Sequence, residues 1–119
     1  MTKVLIIEDD LSMRSLLKTL LEIEKFQVNV LEVNNEDDLV SQIHKSDADI
    51  VLMDINLKNT DGLTILRRIH QGGAQHRKFR VIMTSGEDRK QECLIAGADE
   101  FLLKPYMPAD LIQKLKSSS

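Results

Sequence analysis

Short apolar runs that stop abruptly at polar residues alternate, along this chain, with longer stretches in which apolar residues recur every three or four positions. Val4-Leu5-Ile6-Ile7, Ile50-Val51-Leu52-Met53, Val81-Ile82-Met83 and Phe101-Leu102-Leu103 are such runs. Their length and continuity predict strands buried on both faces. Phe26 to Val33, with Val28, Val30, Leu31 and Val33, predicts one more. Four helical stripes lie between and after them: Met13, Leu16, Leu17, Leu20 and Leu21; Leu39, Val40 and Ile43; Leu63, Leu66 and Ile69; Leu111, Ile112 and Leu115. A more polar helix spans roughly Arg89 to Ala96, with Gly97 as its C′ residue. Asp10 or Ser12 caps the first helix, Asn34-Asn35 forms a turn and cap before the second, and Pro108 opens the last. Lys58 to Gly62 and Gln71 to Lys78 read as loops.

Five strands in alternation with five helices predict an α/β domain, a doubly wound parallel sheet with helices on both faces. The 119 residues suit one such domain. Residues 1–116 are assigned to it, and Ser117-Ser118-Ser119 to a frayed tail or the start of a linker.

Composition narrows the function classes. A formal net charge of -3 gives no reason to expect a nucleic-acid surface, and 3% aromatics with no Trp argue against a stacking platform for bases. No apolar run reaches membrane-spanning length, and no signal peptide precedes Lys3. Cys93 is the single cysteine, so no internal disulfide forms, which fits a reducing cytoplasm.

The candidate chemistry lies where strands end. Glu8-Asp9 follows the first, Asp54 the third, Thr84 the fourth and Lys104 the fifth. Each taken singly is an ordinary solvated residue capping a strand. Taken together they share one edge of a parallel sheet, outside the carboxyl ends, where ligands bind in such folds. Three carboxylates held close repel one another. A hard divalent cation relieves that repulsion, and an all-oxygen donor set suits Mg²⁺. Asp54 then keeps an oxygen for nucleophilic attack on phosphorus, giving an acyl phosphate. Mg²⁺, Lys104 and Thr84 can each meet one peripheral phosphoryl oxygen.

This set resembles the receiver domain of bacterial two-component response regulators. The resemblance runs from Val4 to about Leu115. It is carried by Ile-Ile-Glu-Asp-Asp, Met-Asp-Ile-Asn-Leu with a following Asp-Gly-Leu, Met-Thr-Ser, Gly-Ala-Asp-Glu-Phe and Lys-Pro-Tyr, in that order. It implies a flavodoxin-like sheet of strand order 2-1-3-4-5 and a switch that accepts phosphate on Asp54 from a sensor histidine kinase or a histidine phosphotransfer protein. It implies Mg²⁺ held by Asp9, Asp54 and the Asn56 backbone carbonyl, with Glu8 acting through a metal-bound water. Asp10 is read as a cap. Lys104 pairs with the phosphate, and the Lys104–Pro105 bond is expected to be cis. Thr84 and Phe101 form the switch pair, although Phe101 is equally readable as a core residue. The implied partners are an output domain or downstream protein and a phosphorylation-dependent second copy. No direct nucleic-acid or membrane contact is implied. The domain turns over no metabolite, but promotes phosphoryl transfer to, and hydrolysis from, its own Asp54. One position departs from the family pattern: Lys58 stands where many members have proline, four residues after the phosphorylated Asp. Asn56 and Gly86 occupy positions that tune dephosphorylation in the family.

Three rivals differ in testable ways. An aspartyl-phosphate phosphohydrolase also uses an Asp-x-Asp strand end, but the second acid here is Asn56 and no cap domain fits; phosphomonoester turnover would favour it. A flavodoxin needs a hydroxyl- and glycine-rich phosphate loop after the first strand, where this chain has Glu8-Asp9-Asp10; a yellow protein would favour it. A degenerate receiver would act as an interaction module without phosphorylation. His44, His70 and His76 have no ligand spacing and read as exposed or capping residues. Cys93 reads as a packing residue. The run His76-Arg77-Lys78 with Arg80 reads as a solvated loop.

Overall fold

The computed structural model describes residues 1–71 and 79–117, and each predicted apolar run forms or contains a strand. The order is β1 (Lys3–Ile7), α1 (Leu11–Ile23), β2 (Gln27–Val30), α2 (Glu36–Lys45), β3 (Ile50–Asp54), β4 (Asn56–Leu57), β5 (Thr60–Asp61), α3 (Gly62–His70), β6 (Arg80–Ser85), α4 (Lys90–Ile95), β7 (Glu100–Leu103) and α5 (Pro108–Lys116). The main sheet has five strands in the order β2-β1-β3-β6-β7, with every pairing parallel. Counted along that sheet alone, this is the expected 2-1-3-4-5.

Alternate strand residues face opposite sides, so the sheet divides two cores. Leu5, Ile7, Val51, Met53, Val81, Met83 and Phe101 pack against α2, α3 and α4. Val4, Ile6, Ile50, Leu52, Ile82 and Leu102 pack against α1 and α5. Register aligns Ile7 with Met53, Met53 with Met83, and Met83 with Phe101. One lateral row therefore crosses four strands just inside the sheet edge that carries the polar residues.

Helix ends follow local chemistry. The Asp10 carboxylate accepts from the Met13 N–H at 3.0 Å, and the Asn35 side chain from the Asp38 N–H at 2.8 Å. Pro108 takes the first position of α5. Gly97 ends α4 with φ +114, and the Gly97 and Ala98 amides donate to the Leu94 and Cys93 carbonyls. The same two-bond pattern ends α1, with Lys25 at φ +73 in the glycine position.

Several boundaries differ from the expectation. β2 is shorter than Phe26–Val33; it is an edge strand, and Leu31 and Val33 leave it to pack on the larger core. Leu16 is exposed, because α1 buries Leu17 and Leu21 and turns Leu16 to the rim of that stripe. α4 is shorter by one residue at each end, Arg89 and Ala96 being its caps. Lys58 to Gly62 is more than loop. β4 and β5 pair as a two-residue hairpin, and Gly62 begins α3. A Cβ at Gly62 would lie 2.3 Å from the Asp54 carbonyl oxygen, so only glycine lets α3 start against the end of β3. The Gly72–Lys78 part of the connection, including His76, and the last two serines lie outside the described residues. Among the described residues, no helix is long and apolar enough to cross a membrane.

Candidate functional site

Parallel strands bring their carboxyl ends to one edge, and the polar residues predicted there meet. β1 runs into Glu8 and Asp9, β3 ends on Asp54, Thr84 lies beside Asp54 in register on β6, and Lys104 follows β7. Glu8, Asp54 and Thr84 are 5%, 6% and 3% exposed, and with Ser85 they are the polar residues buried in the described chain. Charged groups at such depth need partners. The Lys104 ammonium supplies them, its Nζ donating to Glu8 Oε1 and to Asp54 Oδ2, both at 2.9 Å. Backbone amides complete the set: Asp10 N–H donates to Glu8 Oε2 at 3.2 Å, and Asn56 N–H to Asp54 Oδ1 at 3.1 Å. Burial alone would lower the Lys104 pKa; the hydrogen bonds and charges of Asp54 and Glu8 outweigh it and raise the pKa above the ordinary lysine value. The Lys104–Pro105 bond is cis, as expected.

The edge opens as a cleft lined by Glu8, Asp9, Asp10, Ser12, Asp54, Asn56, Lys58 and Lys104. Thr84 lies beneath it, next to Asp54. Phe101 lies in the larger core at the end of the Ile7–Met53–Met83 row. Asp10 caps α1 and faces the cleft from its rim. The Asp9 Oδ2 accepts from the backbone N–H of Lys58. Among the described residues, no three acid, histidine or cysteine side chains stand together as a ready metal cluster. The donors nonetheless fit a hard cation: Asp9, Asp54 and Glu8 carboxylates and the Asn56 carbonyl are all oxygen, and the cleft is open to water.

In sequence Lys58 is only a departure from a family pattern; its amide contact with Asp9 joins positions 49 residues apart and has no local signature. Tyr106 enters the sequence pattern only as the last residue of Lys-Pro-Tyr. Its hydroxyl is buried with no hydrogen-bond partner among the described residues, and burial raises its pKa. His70 neither caps nor faces solvent fully. Its ring lies against Gly97, where a Cβ would come within 2.9 Å. Cys93 is fully buried, and Arg80 donates to the Lys114 carbonyl at 3.3 Å.

A family model described as the response regulator receiver domain matches residues 4–116. The chemotaxis protein CheY of Bacillus subtilis is 30% identical over 119 residues, spanning 98% of this chain and 96% of that protein. The transcriptional regulatory protein ResD of the same organism is 26% identical over 117 residues, spanning 98% of this chain but 47% of ResD. The chain thus spans about half the length of that relative. Among solved structures, the response regulator protein TrrA of Thermotoga maritima, in complex with Mg²⁺-BeF, superposes with a TM-score of 0.82 at 24% identity, covering 98% of this chain and 97% of that one.

Proposed function

Because the chain belongs to the response regulator receiver domain family and is a phosphorylation-dependent signalling switch rather than a metabolic enzyme, we propose that Asp54 is the residue that accepts the phosphoryl group. The observation that carries this reading is the Lys104 ammonium, held 2.9 Å from both a Glu8 and an Asp54 oxygen at the mouth of an acidic cleft. Such a cation steadies the carboxylate before reaction and can follow the phosphoryl oxygens after it. A phosphohistidine on a sensor histidine kinase or histidine phosphotransfer protein is the donor. Its P–N bond breaks as an Asp54 oxygen bonds to phosphorus, leaving an acyl phosphate and free imidazole.

Asp9, Asp54 and the Asn56 carbonyl would hold Mg²⁺, with Glu8 acting through a bound water, and the cation supplies charge neutralisation at the phosphoryl oxygens. Lys104 takes a second oxygen and the Thr84 hydroxyl a third. Thr84 has to move toward Asp54 to do so, and Phe101 repacks behind it. The surface formed by α4, β7 and α5 then differs between the two states, which is what a partner must sense. The same cleft promotes hydrolysis of the Asp54 phosphate. Residues 1–116 form the receiver, and 117–119 are a tail or lead into a linker. The controlled element is an output domain, as the length of ResD suggests, or a separate protein, and phosphorylation favours a dimer. This unit contacts neither nucleic acid nor membrane itself and works in the cytoplasm.

Intact mass after incubation with acetyl phosphate and Mg²⁺ tests the assignment. One added phosphoryl group on the wild type is expected, lost on chelation and absent from Asp54→Asn. Equal phosphorylation of the variant would move the acceptor elsewhere.

A further inference from the structure

We propose that Lys58 is a positioning residue for the cation site: its backbone N–H holds the Asp9 carboxylate through Oδ2, and a divalent cation that takes that carboxylate loads in competition with this hydrogen bond. The inference rests on reading the cleft as a Mg²⁺ site and adds what sets its affinity. The bond joins Lys58 N–H to Asp9 Oδ2, while Glu8 and Asp54 are engaged by Lys104 instead. The acids therefore do not form a preassembled cluster among the described residues. An ionised acceptor makes the amide bond stronger than a neutral one, so releasing it subtracts from the free energy of metal binding. The Lys58 side chain also belongs to the cleft wall, adding a positive charge where a dication must enter.

The backbone explains why this position can carry the device and how to remove it. Lys58 and Asn59 are the two central residues of the hairpin turn between β4 and β5. Asn59 has φ +63, whereas Lys58 lies outside the left-handed region. A positive φ at the second central residue only is the pattern of a type II turn, whose first central position favours proline. Leu57 is already extended in β4, which proline requires of its predecessor. Proline at 58 thus keeps the turn and deletes the donor, and alanine keeps the donor and deletes the ammonium.

The test compares Mg²⁺ dissociation constants, by calorimetric titration, of wild type, Lys58→Pro and Lys58→Ala, each checked for native circular dichroism. Lys58→Pro is expected to bind at least about tenfold more tightly than Lys58→Ala, the worth of one hydrogen bond to a charged acceptor, and the gap is expected to persist at high salt. Equal, measurable constants for the two variants overturn the role of Lys58 while leaving the Mg²⁺ site standing. No binding by any of the three removes the Mg²⁺ site itself. A second readout uses the wild type alone. Amide hydrogen exchange at Lys58 is expected to quicken several-fold on Mg²⁺ addition, as its acceptor leaves. Unchanged exchange under saturating Mg²⁺ overturns the proposal even where Lys58→Pro fails to fold.

Discussion

Among the described residues, Lys104 is the one cation that the two deeply buried carboxylates of Glu8 and Asp54 share. Breaking a buried pair by deleting one partner is costlier than the pair is worth, because the other charge stays behind. Lys104→Met leaves two. We expect it to lower stability by about 3 kcal/mol at neutral pH in urea unfolding, and Asp54→Asn to cost much less, since Lys104 still pairs with Glu8. A loss for Asp54→Asn equal to that for Lys104→Met would show that the ammonium is not the organising charge. The sign with pH follows from the raised Lys104 pKa. Its stabilisation is complete below the ordinary lysine value and fades only as pH rises through the raised one, so neutral-pH experiments see all of it. Not every residue here is locally optimal. Lys25 sits at φ +73 to end α1, a conformation that costs a side chain about 1 kcal/mol.

Among the elements, α4 is the weakly held one. It is short, its first turn has no side-chain cap, Cys93 is its one buried residue, and Leu94 and Ile95 are exposed. Cys93 is thus both its anchor and a probe of it. Burial pushes the thiol up to about 11 from an ordinary 9.0. A two-unit rise makes the reactive thiolate on the order of a hundredfold scarcer in the folded chain at pH 8. Reaction with a chromogenic disulfide reagent is expected to be at least that much slower in the native protein than in urea. The folded pKa is raised, so the Cys93 contribution is intact below pH 9 and declines as pH rises toward about 11. Urea unfolding across that window is expected to show a fall that Cys93→Ala lacks. Native reactivity matching the unfolded chain would mean that α4 is open most of the time.

For the molecule as a whole, binding to the folded state alone is the relevant lever. Tenfold Mg²⁺ over its dissociation constant adds about 1.4 kcal/mol, a melting-temperature rise on the order of 5 °C for a domain this size. The rise is expected to vanish with chelator and in Asp9→Asn. Survival of the full shift in Asp9→Asn would place the cation elsewhere.

Most of this architecture was legible beforehand because its signals are redundant. A continuous run such as Ile50–Met53 needs burial on both faces, alternation with helical stripes demands parallel crossovers, and parallel strands bring Glu8, Asp54, Thr84 and Lys104 to one edge. What escaped has no period to read. The β4–β5 hairpin is two residues a side, Gly62 is required by a 2.3 Å approach that only three dimensions reveal, and Leu16 fits the stripe but overshoots the width of what covers it. The amide of Lys58 on Asp9 is an orientation of one side chain, which composition does not encode.

The lateral row beneath the polar edge has a practical corollary. Met53 and Met83 stand in it between Ile7 and Phe101, and thioether side chains adapt their shape more readily than branched ones. The chain has only five methionines. Carbon-13 labelling of their methyl groups would therefore give a sparse spectrum in which two signals mark the line from the acceptor's own strand to the aromatic ring. The protein carries its own pair of resonance beacons along the line where any rearrangement has to pass.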